Sequence, residues 1–256
     1  MADRKILFRS SGNLNEVSPT ADIITVGGVT TKDIFQTGII QGSSLVGAQR
    51  MWVIQQEANA TTLAQYGLTA APTTEGSVSV LDTTTGQFIQ YQGATGVNND
   101  AGWVSAAFTQ TRLNYLPFYE SLIRTGADIT SIRYWFGLFS ADPMAITAGT
   151  LHQLGFRYST DVDGTAFWRT TSNNGATPTV TTTTTAITAS TAYRLTIIAR
   201  STTSVDFMID GVTVATHTTA LPTATTNMGH VEQSRQLVSG GRQVCISKVS
   251  VSQRSA

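Results

Sequence analysis

The sequence predicts an all-β chain built as an antiparallel β-sandwich, and three observations carry that prediction. Thr and Ser number 43 and 22, a quarter of the 256 residues, in a chain with 41% hydrophobic and only 12% charged residues. Such a polar, uncharged, β-branched composition fits pleated, half-buried strands. Apolar and polar residues alternate over many short segments, the period of a strand with one buried face. One pair of these segments is joined by Asp210-Gly211, a two-residue hairpin signal that tolerates positive φ at both central positions.

The same arithmetic excludes several classes. Lys+Arg and Asp+Glu are 16 each, so the formal charge is zero and no basic excess exists to neutralise nucleic-acid phosphates. No apolar run approaches ~18 residues, the length a membrane helix needs. The opening residues contain no apolar stretch of secretory-signal length. Only three lysines occur, Lys5, Lys32 and Lys248. A surface so poor in charge is poorly protected against association.

Residues 1–46 read as an arm and 47–256 as the sandwich. In the arm, Ile6-Leu7-Phe8 and Ile23-Ile24-Thr25-Val26 are short apolar pieces separated by Ser, Gly, Asn and Pro. They have no local core to enter, so Ile6, Leu7, Phe8, Ile23, Ile24 and Val26 are the candidate assembly contacts. Met51–Ile54 surround a helical axis without forming one face, which favours a buried strand at about 50–56. A short helix is expected near 62–66. Ser77–Leu81 and Phe88–Tyr91 form a hairpin around Asp82–Gly86, and 92–102 reads as a loop. Pro117 opens a second expected helix over 117–124, ended by Gly126.

From Ile132 onward strands follow one another. Ile132–Phe139 carries large apolar groups on both faces, the pattern of a central strand covered on both sides. Gln153–Tyr158, Phe167–Arg169 and Tyr193–Ala199 follow at spacings suited to a sandwich, and Thr181–Thr185 reads as an edge strand or exposed loop. Around Asp210-Gly211 the pattern pairs Ile209 with Val212, Phe207 with Val214 and Val205 with Thr216 on an apolar face. His217 then falls on the polar face, in a solvated or cross-strand role. Between Val244 and Val251 the apolar parity changes, which predicts a bulge near Ser247-Lys248.

The run Ala192–Ile197, then Ser204–Val212, Val214–Pro222 and Ile246–Val251, resembles the concanavalin-A-like (jelly-roll) domains of bacteriophage structural proteins. Arg133–Ser140 and Phe156–Ser159 carry the same likeness upstream. It is close over 130–253, loose over 50–130 and absent from the first 46 residues. The resemblance implies a jelly-roll sandwich, a virion location after synthesis in the host cytoplasm, and a role in head decoration (cement), head fibres or tail fibres. It also implies a homotrimer and contact with the major capsid protein or other virion proteins.

Sugar-cleaving enzymes share this sandwich and place paired carboxylates on one strand as acid and nucleophile. The sequence has five Glu (Glu16, Glu57, Glu75, Glu120, Glu232), no two close together, and no Glu-x-Asp-x-x-Glu run. Asp161-Val162-Asp163-Gly164 reads as a turn. As a calcium loop it lacks the later bidentate carboxylate, since Ser172 stands at position twelve. His152, His217 and His230 show no metal-ligand spacing, and Cys245 sits in an apolar run as a small core residue. Trp135 and Trp168 read as core rather than as sugar-stacking platforms. No catalytic, cofactor or metal site is expected. The expected function is a non-enzymatic capsid cement protein that binds and stabilises the head. A tail-fibre module recognising a host surface glycan is the alternative, and a tailspike-like glycosidase the weakest reading.

Overall fold

In this computed structural model the chain divides into two compact units, residues Met1–Gln49 and Arg50–Ala256. The structure describes the backbone of 6–10, 13–17, 25–26 and 29–30 in the first unit. In the second it describes residues 51–57, 68–70, 75–84, 86–105, 108–144, 150–164 and 166–254. The first unit carries two small antiparallel hairpins, β1 (Ile6–Ser10) with β2 (Asn13–Val17) and β3 (Thr25–Val26) with β4 (Val29–Thr30).

The second unit is the predicted antiparallel sandwich. Its strands are β5 (Met51–Glu57), β6 (Leu68–Ala70), β7 (Glu75–Thr83), β8 (Gly86–Gly93), β9 (Asp100–Ser105), β10 (Phe118–Thr125), β11 (Ile132–Phe139) and β12 (His152–Ser159). They continue with β13 (Phe167–Asn174), β14 (Thr179–Ala186), β15 (Ala192–Ser201), β16 (Ser204–Ile209), β17 (Val212–His217), β18 (Gly229–Gln236) and β19 (Gln243–Arg254). One sheet runs β17-β16-β15-β10-β19-β8-β7, with β5 also paired to β19; the other runs β14-β13-β12-β11-β18-β9-β6. The twelve-residue β19 is shared, its first part pairing with β8 and its second with β5.

β11 sits in the middle of its sheet, between β12 and β18. Tyr134, Phe136 and Leu138 enter the core between the sheets, whereas Trp135 and Phe139 join Met144 and Val231 in a second cluster on the outer face. The inner core centres on Trp168, fully buried, with ring centroids 5.4 Å from Tyr193, 5.9 Å from Phe136 and 6.4 Å from Tyr134. Each such aromatic pair adds roughly 0.5–1.5 kcal/mol beyond the area it removes from water.

Two segments differ from the sequence prediction. The expected helix at 117–124 is β10, whose inward row is Tyr119, Ser121, Ile123 and Thr125. Two of those four are polar, which hid the period of two; Pro117 suits strand entry as well as helix entry. The only helical turn among the described residues is a 3-10 turn at Leu113–Tyr115, and 62–66 lies outside them. Likewise 92–102 is not one loop: β8 reaches Gly93 and β9 begins at Asp100.

Two bulges set the parity of strand ends. In β19, Lys248 faces Leu122 and Ile246 faces Ile123, so Ser247 is the extra residue at the predicted site. The hairpin β16–β17 begins in the predicted register, Ile209 opposite Val212 and Met208 opposite Thr213, but Phe207 then faces Ala215 and Val205 faces His217. Val214 is the inserted residue, and a one-residue insertion turns everything beyond it to the other face. His217 is therefore buried, 2% exposed, rather than on the polar side. The threonine run is the edge strand β14, where Thr183–Thr185 oppose the single residue Trp168.

Gly137 lies in β11 at φ +143°, and a Cβ there would stand 2.3 Å from the Leu154 carbonyl oxygen. Gly137→Ala combines backbone strain with a main-chain clash. It is expected to cost at least about 2 kcal/mol, read as a lowered urea midpoint with an unchanged slope.

Candidate functional site

Two polar constellations stand out on the seven-stranded sheet, one on each face. The inner one lies on β18, whose inward row His230, Glu232, Ser234 and Gln236 is polar throughout and at most 1% exposed. His230 Nδ1 and Glu232 Oε2 are 2.9 Å apart. From the opposite sheet, Tyr119 stands beside Glu232 and Ser121. Burial, then the Glu232 charge, raises the Tyr119 phenol well above its ordinary value. Yet Tyr119 Oη, Ser121 Oγ, His230 Nε2 and Glu232 Oε1 complete no hydrogen bond within the protein. Each such buried polar group left unsatisfied costs ~1–3 kcal/mol, so the four together rival the ~5–15 kcal/mol stability of a domain. The types Ser, His and Glu invite comparison with hydrolytic triads, but at zero exposure no substrate reaches them.

The outer constellation surrounds Trp135. Arg157 lies over its ring at 5.4 Å and is held by Asp163 through Nε at 2.6 Å and through Nη2. Gln153 donates to Thr171 Oγ1 at 2.8 Å. Arg235 forms a two-pronged pair with Asp100 at 2.5 and 2.6 Å. Asp142 Oδ1 accepts from the Met144 N–H at 2.8 Å. Burial, with the nearby Asp100 acting the same way, raises the Asp142 carboxyl above its ordinary value against the pull of Arg235 and Gln233. The Gln233 amide sits beside Asp142 without completing a hydrogen bond, and Trp135 Nε1 and Gln153 Oε1 are also unpartnered. Trp135, Gln153, Gln233 and Arg157 are all buried, so this cluster, like the inner one, is closed to a ligand.

The remaining candidates fall into structural places. Asp161 and Asp163 occupy the turn after β12. Arg133 reaches Asp161 at 2.6 Å, and Arg157 and Arg169 both reach Asp163, so guanidinium groups already occupy these carboxylates. Among the described residues no group of three or more His, Cys, Asp or Glu is placed to hold a metal ion. Cys245 is buried, and that burial pushes its thiol up to about 11. Trp135 and Trp168 are core side chains, as is Trp103, whose Nε1 donates to Tyr91 Oη. Of the six predicted assembly contacts, Ile6, Leu7 and Phe8 lie on β1 and Val26 on β3, opposite Val29. Ile23 and Ile24, and the side chains of all six, fall outside the described residues.

Sequence reading missed Glu232, His230, Gln233, Gln153 and Asp142. In Gly-His-Val-Glu-Gln-Ser-Arg-Gln the lone apolar residue is Val231, so β18 gives no alternation. The only available sign was a run of eight residues without turn signals between two strands.

His217 clasps the two sheets at one side. Its Nε2 lies 3.0 Å from Thr170 Oγ1 and 3.1 Å from Thr181 Oγ1, and its Nδ1 lies 2.8 Å from Ser172 Oγ.

No protein-family model matches the chain, and no curated protein matches it. Solved structures do resemble it. A crystal structure of a protein of unknown function from Shewanella oneidensis MR-1 aligns with a TM-score of 0.59 at 10% identity, covering 90% of this chain and 97% of that one. The carbohydrate binding module CBM66 from Bacillus subtilis aligns at 0.40 and 15% identity, covering 71% and 94%. An endo-beta-1,4-glucuronan lyase from the fungus Trichoderma reesei aligns at 0.44 and 13%, covering 78% and 94%. At these identities the likeness speaks to fold alone.

Burial holds the His217 imidazole down at about 4, below the unfolded value of about 6.5. A depressed folded value gives stability that is complete above pH ~6.5 and lost as pH falls toward 4. The expected loss is of order 3 kcal/mol, and His217→Gln is expected to flatten that part of the stability–pH curve. Thermal unfolding at pH 4 to 8 measures both. The second unit of this chain is an antiparallel β-sandwich with polar constellations on both faces of its seven-stranded sheet.

Proposed function

We propose that the chain is a non-enzymatic structural component of a bacteriophage virion, a capsid cement or decoration protein. Residues 1–49 attach it to the particle and the sandwich is the displayed body. The observation that carries this reading is the division of the chain. The strands described in the first unit form small sheets of their own, β1 with β2 and β3 with β4. A short segment with its own hairpins and apolar pieces supports docking on a second protein. The low charge of the chain, 12% against roughly 25% in ordinary domains, supports association as well.

The test is the particle itself. Gold labelling and quantitative mass spectrometry of purified virions are expected to place hundreds of copies on the head. A chain lacking residues 1–49 is expected to lose attachment while keeping the β signature in circular dichroism. A few copies at the tail, or full attachment by the truncated chain, would overturn the cement reading.

A further inference from the structure

The polar seam on β18 asks for a partner that the protein does not itself supply. Ser121, His230 and Glu232 are fully buried, as is Tyr119, and all four side chains face the space between the sheets. Two of them touch directly, His230 Nδ1 to Glu232 Oε2 at 2.9 Å. The Tyr119 phenol lies beside both the Glu232 carboxylate and the Ser121 hydroxyl, close enough for each to shift its titration, so the four are contiguous across the core. Each nevertheless keeps an unsatisfied atom: Tyr119 Oη, Ser121 Oγ, His230 Nε2 and Glu232 Oε1.

From this juxtaposition we infer an internal hydration site. Ordered water bridges Tyr119 and Ser121 of β10 to His230 and Glu232 of β18, tying the two sheets together through the middle of the core. The chemistry is matched in number and kind. Glu232 Oε1 accepts only, the two hydroxyls both donate and accept, and His230 Nε2 does one or the other according to its tautomer. A buried water needs two to four such partners and is retained where they converge. No other ligand class fits as well. The described groups bring a single carboxylate, already facing the His230 imidazole, which is too few ligands to hold a cation. Its zero exposure leaves no path for anything larger.

The site is tested on the full chain by two measurements. A high-resolution crystal structure is expected to show solvent density within hydrogen-bond distance of at least three of the four atoms. Tyr119→Phe and Ser121→Ala provide the second measurement, because its sign discriminates. Removing a hydroxyl that satisfies nothing leaves stability unchanged or raises it, whereas removing one that holds a bridging water lowers it. Each variant is expected to lower the unfolding midpoint by about 2–4 °C, and the double variant by less than the sum, because both changes break one network. A dry seam with the atoms bonded directly to each other, or midpoints that hold or rise, would overturn the inference. Since the proposed virion role rests on residues 1–49, neither result bears on it.

Discussion

The structure depends on one strand being buried on both sides. β11 places Tyr134, Phe136 and Leu138 against the opposite sheet and Trp135 and Phe139 against the outer cluster. Its neighbours are therefore fixed twice, by the backbone ladder and by packing above and below. Gly137, opposite Gly155 of β12, sits in this strand without a side chain. Gly155 likewise lacks a side chain, which lets Phe139 close over it: a Cβ there would stand 2.8 Å from Cζ of the ring. The outer aromatic cluster and the inner hub around Trp168 are thus built from the two parities of a single eight-residue segment.

The other half of the architecture is polar. β18 lies beside β11 and sends His230, Glu232, Ser234 and Gln236 into the same interior that β11 fills with aromatic rings. Buried hydrogen-bonding groups add little net stability but are costly when mispaired. They thereby penalise any slip of β18 against β11 and β9. Apolar packing supplies the driving force here, and the polar row restricts which register can use it.

Most of the fold was legible because local period and turn chemistry agreed. The alternation in Ile132–Phe139, the Asp210-Gly211 turn and the parity change near Ser247 each pointed to what the structure contains. What was not legible has a common cause. β10, β18 and the start of β9 put Ser121, Thr125, Glu232, Ser234 and Asp100 where alternation expects apolar residues. The partners of Thr125, Ser234 and Asp100 lie far away in the chain, so no local window reveals them. The same holds for the outer cluster: Asp142 and Gln233 meet only because β18 and the segment after β11 converge. Val214 shows the limit of a correct turn, since one inserted residue carried His217 from the outside of its hairpin into a clasp between sheets.

The two strands that end the sheets on one side, β14 and β17, have neither a proline nor a formally charged residue. Each instead carries a bulge, at Thr183–Thr185 and at Val214. Unpaired strand borders invite further strands to add on, and most proteins deter this with lysines, whose repulsion fades in concentrated electrolyte. At these two borders the deterrent is the shape of the main chain, so strand addition there stays blocked in brine as in dilute buffer.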